Sequence, residues 1–493
     1  MLIKFSIENY LSFNQKQTFS MEAGKTRKYS DRIYKDKQLK LTKCEAIFGA
    51  NASGKSNLTE AFDFIQTMVL NGLPNGFTNK YFRQNPSNQS KPSSFEIELL
   101  LDGKRMVYGF SILLKTGSIQ SEYLYELTTN NLHKLLFTRN LLDASFVVGD
   151  YFQDSNGIEK LEMYGEDSIA DSELLFLSII NHGKAKMYED TPELKILKKV
   201  YYWFGKHLTV SNPNSILTGY PYFSNSNLTE IANLLNALGT GISDLKIVEV
   251  PVEIIKTKIP DKLFNKIISD LEKRKAKSKT APSPIMLRSY KEFYTFELNE
   301  ENDLIIKTIE FSHEKKSIYF NLKEESDGTA RLLDLIEILL KVSDDHIFVI
   351  DEIDRCLHPA MTTRIIELFL QMASERNTQL IITSHESRLL AAEILRNDEI
   401  CFILKNSDGE SILNPLEKYQ LRADKKVYAA MFDGTLKNVL PFYNKEKYKI
   451  FLHKTECKFL QTTYAKTMSL HKTVDKAHSD AVGFSYIKMV LES

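Results

Sequence analysis

An α/β fold is predicted, in which a mixed sheet with a phosphate-loop core is joined to an antiparallel β layer and carries a helical insertion. Three stretches predict it. Gly49-Ala50-Asn51-Ala52-Ser53-Gly54-Lys55-Ser56 lies between a strand-like run at 45–48 and a helix opening near Asn57, with Leu58, Phe62 and Ile65 at helical spacing. His346-Ile347-Phe348-Val349-Ile350-Asp351-Glu352 is a run of strand formers ending in two carboxylates, the form of a buried parallel strand that delivers acids at its C-terminal end. Residues 95–101, 106–114 and 118–127 are β-rich, and the first two are divided at Asp102-Gly103, a hairpin signal.

At 493 residues the chain has room for two or three domains and a large core. Its 64 basic and 64 acidic residues cancel, so no global field draws in a nucleic acid or a membrane, and any basic surface must be local. Cys44, Cys356, Cys401 and Cys457 are scattered without CxxC spacing, which argues against a disulfide framework or a zinc site and for a reducing cytoplasm. No apolar run approaches the roughly 18 to 20 residues that span a bilayer, and no signal peptide or membrane association is expected.

Four segments are expected in order: an N-terminal lobe with the phosphate loop (1–150), a helical insertion serving as arm or dimerisation element (151–290), a C-terminal lobe (291–440) and a helical tail (441–493). Residues 2–10 alternate as a half-buried edge strand does, and a second strand follows at 17–21. Within the insertion, 171–180, 193–207, 227–238 and 261–279 read as helices. The last places Leu263, Phe264, Ile267, Ile268 and Leu271 on one face and ends in Lys273-Arg274-Lys275, Lys277 and Lys279, ahead of a breaker at 281–284. That tip reads either as an electrostatic footprint for a phosphate backbone or as a solvated helix end favoured by the macrodipole. Strands resume at 294–298, 303–310 and 317–322.

The chemistry follows from residue types. Two glycines let the loop curl so that backbone N–H groups meet phosphate oxygens at a helix N-terminus. Lys55 reaches the β- and γ-phosphates, and the Ser56 hydroxyl ligates Mg²⁺. Gly49, Asn51, Ser53, Gly54 and Asn57 complete the expected phosphate site. Asp351 holds Mg²⁺ through water, and Glu352 polarises the attacking water. Leu380-Ile381-Ile382-Thr383-Ser384-His385 is a further buried strand at the same rim, where His385 is a candidate γ-phosphate sensor or a structural hydrogen-bonding residue. Ser326, Gly328 and Thr329 open a helix; they present a hydroxyl and N–H groups to an anion, or simply cap the helix.

The order phosphate loop, long insertion, Ser-x-Gly helix, two-carboxylate strand and histidine resembles ABC-class ATPases of the SMC/RecF/OLD clan. The chain is most similar to the OLD-like AAA ATPases of abortive-infection and phage-defence systems, the RloA and AbiL type. Asn9-Tyr10, Tyr108-Gly109-Phe110, Glu122-Tyr123-Leu124, 172–178, 239–244 and Leu357-His358-Pro359 carry the resemblance beside the motifs above. It implies an ABC-type ATPase head that uses ATP and Mg²⁺ and turns ATP over slowly. It also implies a homodimer or higher homo-oligomer in which Ser326, Gly328 and Thr329 face the nucleotide of a second copy. A sensor or scaffold role in anti-phage defence follows from it, with a separately encoded nuclease or toxin as effector. Two alternatives stay open: a RecF/SMC-like DNA-repair ATPase that binds DNA directly, and a low-turnover oligomeric scaffold. The signature departs from the Gly-Gly-Gln ending of transporters, and Gln84 and Gln120 are the candidates for a Gln-loop. Residues 442–493 hold no Glu plus Asp-x-Asp set, and His453, His471 and His478 lack ligand spacing, so no Toprim nuclease domain is expected in cis.

Overall fold

The computed structural model describes residues 1–436 except 37–38, 129, 131, 153–156, 214–227, 278–283, 290, 300, 314–317, 341–344, 420, 422–425 and 433–434. The expected tail, Lys279 and residues 281–283 lie outside the described residues.

A six-stranded sheet runs in the order Leu208–Ser211, Ile347–Ile350, Gln379–Thr383, Cys44–Phe48, Ile400–Lys405, Ser411–Pro415. The first five strands are parallel and the last is antiparallel. Ile347–Ile350, Gln379–Thr383 and Cys44–Phe48 are buried at every position, which is why they read as unbroken apolar runs. Their C-terminal ends share one rim, and the phosphate loop leaves from the middle of it.

A seven-stranded antiparallel sheet runs Ser145–Val148, His133–Asn140, Ser118–Leu127, Lys104–Leu113, Ser93–Leu101, Leu2–Glu8, Gln17–Ser20. The hairpin at Asp102-Gly103 forms as its sequence predicts, with both residues at positive φ. Leu2–Glu8, expected at the edge, is an interior strand, and Gln17–Ser20 takes the edge. A bulge between Leu2 and Lys4 groups Leu2 with Phe5 and Ile7 on the main core, while Ile3 packs against Leu39 and Leu41.

The helix Lys55–Asn71 shares one apolar core with residues of both sheets. The Phe62 ring lies 4.1 Å from that of Phe5, and Phe64 stacks on Phe95 at 4.9 Å. Gln379 couples the sheets by hydrogen bonds: its Oε1 accepts the Leu2 N–H at 2.7 Å, and its Nε2 donates to the carbonyls of Leu2 (3.1 Å) and Thr42 (3.2 Å). The helix behind the loop is therefore held from two sides.

The segment 151–290, expected as a helical insertion, is divided differently. Its helices Ile158–Ser168, Phe176–Asn181 and Lys195–Tyr202 bury Leu161, Phe176, Leu177, Ile180, Leu197 and Val200 in the main core, and Leu208–Ser211 joins the parallel sheet beside Ile347–Ile350. Farther on, Asp244–Glu249 and Ile285–Ser289 form a separate sheet with Glu292–Leu298 and Leu304–Ser312. The helix Asp261–Lys277 covers that sheet through Phe264, Ile267 and Leu271, whereas Leu263, expected on the same face, is exposed. At the basic tip, Lys275 donates to Asn299 O (2.9 Å) and Asn302 Oδ1 (2.5 Å), so part of its charge is engaged within the fold.

Buried charged groups in the body have partners on distant segments. Glu122 accepts the N–H groups of Phe176 (2.5 Å) and Leu177 (3.0 Å) and the Tyr108 hydroxyl (2.9 Å), with Arg139 at 3.6 Å. The carboxylate sets the start of the Phe176–Asn181 helix, five residues after the expected 171. Elsewhere Arg396, fully buried, pairs with Asp398 and donates to Thr26 O, Lys28 O and Tyr29 O, which ties the 26–29 loop to the sheet. Beside it, burial pushes the Glu399 carboxyl from 4.5 up to about 7, against the bond from the Arg396 N–H, and burial also lifts Glu45 well above the carboxylate range. Because the folded pKa of Glu399 exceeds the unfolded one, its contribution is most favourable below about pH 4.5 and is lost as pH rises to about 7. Glu399→Gln is expected to flatten that limb, stabilising the protein above pH 7 by up to about 3 kcal/mol and leaving it unchanged near pH 4, as read by urea melts across pH.

Candidate functional site

Residues that the sequence leaves far apart grip the phosphate loop. The Lys55 ammonium donates to the carbonyls of Gly49 (2.8 Å) and Ala50 (3.1 Å), and Lys405, at the end of the neighbouring strand, donates to that of Ala52 (3.3 Å). The Ser411 hydroxyl donates to Ser53 O at 2.6 Å and lies within hydrogen-bond distance, 2.6 Å, of Ser12 Oγ, while Asn57 Nδ2 donates to Ser12 Oγ at 2.7 Å. A peptide unit is planar, so a Ser53 carbonyl held toward Ser411 turns the Gly54 N–H the opposite way. Gly54 itself sits at φ 110° and caps the helix without a side chain. A Cβ there would collide with the hydroxyl of Ser411 and come within 2.7 Å of that of Ser12. Gly54→Ala is expected to lower stability by about 2–4 kcal/mol in thermal melts, from strain at positive φ and from the collision. Adding Ser411→Ala should recover at most a share of the collision term, because Ser12 Oγ at 2.7 Å and the Cβ of residue 411 at 2.9 Å remain in the way.

The acidic side is built by two neighbouring strand ends. Asp351 is fully buried; the Thr383 hydroxyl donates to its Oδ1, and its Oδ2 has no hydrogen-bond partner among the described residues. The same Thr383 oxygen accepts the Glu352 N–H at 2.8 Å. Glu352 stands at φ 48°, a left-handed conformation that costs about 1–2 kcal/mol outside glycine and is held here by that bond. Its Oε1 lies 3.9 Å from His385 Nε2, and the His385 N–H donates to Asp354 Oδ1 at 3.3 Å. Burial lowers the pKa of Lys55 below the ordinary lysine value, and Asp351, Glu352 and Asp354 offset only part of that.

Loop residues 51–57 with Glu352, His385 and Lys405 line one cavity of about 760 Å³. The two expected motifs and the histidine therefore converge. Ser56 lines that cavity, and Asp351, next in sequence to the lining Glu352, has a buried oxygen without a hydrogen-bond partner among the described residues; a hydroxyl and a carboxylate are hard oxygen donors of the kind Mg²⁺ takes.

Ser326, Gly328 and Thr329 do not line the cavity, and neither do Gln84 and Gln120. Ser326 Oγ accepts the Thr329 N–H at 3.0 Å and caps the helix Asp327–Leu340. Gly328 permits close packing, since a Cβ would lie 2.9 Å from the Cys356 carbonyl in the loop after Glu352. From the same helix, buried Arg331 reaches the carbonyls of Asp351 (3.4 Å) and Glu352 (3.5 Å). The helix start thus packs behind the acidic strand of its own chain. Sequence reasoning missed Ser12, Thr383 as a bridging group, Lys405 and Ser411. Only Thr383 carried a signal, as the polar residue closing an apolar strand.

A family described as "AAA domain, putative AbiEii toxin, Type IV TA system" matches residues 46–391, from the strand before the phosphate loop to the helix after His385. The chain belongs to that AAA-domain family. The AAA domain is a P-loop ATPase domain, and the geometry above supplies its loop, acidic strand and histidine. No curated protein matches the chain. Similar solved structures include the Smc head bound to the C-winged helix domain of ScpA (14% identity, 85% of this chain and 99% of that chain, TM-score 0.38). The SMC head domain from Thermotoga maritima is another (14%, 84% and 98%, 0.31). A third is the Smc head domain with an extended coiled coil bound to the C-terminal domain of ScpA derived from Pyrococcus furiosus (15%, 85% and 97%, 0.34). At such TM-scores the likeness is loose and supports no functional transfer. Among the described residues of the AAA protein, no helix is long and apolar enough to cross a membrane.

Proposed function

We propose that the chain binds ATP with Mg²⁺, hydrolyses it slowly and dimerises head to tail around two nucleotides. Its role would be that of an OLD-like sensor or scaffold in abortive infection, controlling a separately encoded nuclease or toxin in the cytoplasm. The observation that carries the reading is the division of the site: the loop, Glu352 and His385 share one cavity, while Ser326, Gly328 and Thr329 lie outside it. A helix start with a hydroxyl and N–H groups is an anion site, and a second copy is the source that would complete the cavity.

Within one copy, loop N–H groups and Lys55 hold the phosphates, Glu352 accepts a proton from the attacking water, and His385, beside it in the cavity, senses the γ-phosphate. When bound, Mg²⁺ at Ser56 and Asp351 supplies charge neutralisation.

The test is ATP-dependent association by light scattering, together with turnover, for the wild type and for Ser326→Arg. Loss of both in the variant is expected; retention of both removes the sandwich. Native co-purification with the products of neighbouring genes, with and without ATP, tests the effector.

A further inference from the structure

We infer that Lys405 is a second cationic contact for the terminal phosphate, supplied in cis by the strand beside the phosphate-loop strand. This rests on the nucleotide reading above.

Register places it there. Ile400–Lys405 runs parallel to Cys44–Phe48 with Cys401 opposite Ile47 and Phe402 opposite Phe48. Lys405 therefore stands three residues past the level of Phe48, about 10 Å farther along, beside residues 50–52 of the loop. It lines the same cavity as Lys55, Glu352 and His385.

Its partner is informative. The ammonium donates to the Ala52 carbonyl at 3.3 Å, while Lys55 donates to those of Gly49 and Ala50. Two ammonium groups thus rest on loop carbonyls on either side of Asn51. At 3.3 Å the Lys405 bond is longer than the roughly 2.7–2.9 Å of an ammonium on an anionic oxygen, and a phosphate oxygen carries the opposite charge that a carbonyl lacks, so it is the stronger acceptor. Each lysine has donors to spare for an anion seated between them. Lys55, Lys405 and Glu352 all line the cavity, so a phosphate tail seated there meets two cations and a carboxylate.

A purely mechanical role is the competing account. Ala52 sits at φ 61°, and a bond to its carbonyl could serve only to hold the loop in that conformation. The two accounts differ in what a substitution does to tri- and diphosphates. A contact to the terminal phosphate matters for ATP alone, whereas loop positioning matters for ATP and ADP alike.

The experiment is isothermal titration of the full chain with Mg-ATP and Mg-ADP, for the wild type, Lys405→Met and Lys405→Arg. Lys405→Met is expected to weaken Mg-ATP about tenfold and Mg-ADP less than about twofold, with Lys405→Arg restoring most of the ATP affinity. Equal weakening of both nucleotides, or of neither, overturns the inference and leaves nucleotide binding standing. Failure of the wild type to bind Mg-ATP overturns the nucleotide reading and this inference with it.

Discussion

Glu352→Gln is expected to reduce ATP turnover by about 10²–10³-fold while Mg-ATP affinity stays within about threefold. The amide keeps the shape of the side chain and the backbone N–H bond to Thr383, so the left-handed conformation at Glu352 and the loop after it persist. What is lost is the ability to accept a proton from water beside His385. A steady-state phosphate-release assay, with nucleotide affinity measured separately, distinguishes this from a folding defect. Turnover equal to that of the wild type would take Glu352 out of its assigned role.

A larger cost in stability is expected from Arg139→Met, about 3–5 kcal/mol in urea melts. The guanidinium is fully buried and donates to the carbonyls of Leu174 (2.8 Å), Ser168 and Asp171, with Glu122 alongside. Removing it takes the arginine donor from three carbonyls, of which that of Ser168 keeps the Asp171 N–H at 3.0 Å, and leaves a buried carboxylate without its counter-charge. Burial already pushes the Glu122 carboxyl up, and Arg139 is the leading influence that holds it down. In the variant the folded state should keep the proton to higher pH, so the deficit grows as pH rises above the ordinary carboxylate range. Adding Glu122→Gln is expected to recover part of the loss, most of it at high pH. A deficit under about 1 kcal/mol would show that neighbouring backbone satisfies these groups without the arginine.

The core chemistry was legible because it is local. Gly49 to Ser56 forms a loop from its own residues, and the runs ending in Asp351-Glu352 and Thr383-Ser384-His385 are apolar throughout because parallel strands are buried on both faces. What escaped depends on neighbours distant in sequence. Leu208–Ser211 is four residues long and becomes a strand only because Ile347–Ile350 is open beside it. His133–Asn140 hides its alternation behind Arg139, a charge that faces inward because Glu122 awaits it. The edge reading of Leu2–Glu8 failed because Gln17–Ser20 and Ser93–Leu101 pair with it on both sides, and alternation along one strand does not say how many neighbours it has. In the site, Ser12 and Ser411 meet across nearly the whole described chain, and no spacing rule links them.

That long-range grip bears on when the site comes into being. A ribosome releases Gly49 to Ser56 early, but the carbonyls of Ala52 and Ser53 find Lys405 and Ser411 only after the hairpin Ile400–Lys405 and Ser411–Pro415 has been made. Nascent chains shorter than that hold a loop kept by its own bonds alone, without the grip of Lys405 and Ser411. On the reading proposed above, nucleotide binding therefore waits for residues 400–415 rather than for the loop's own residues.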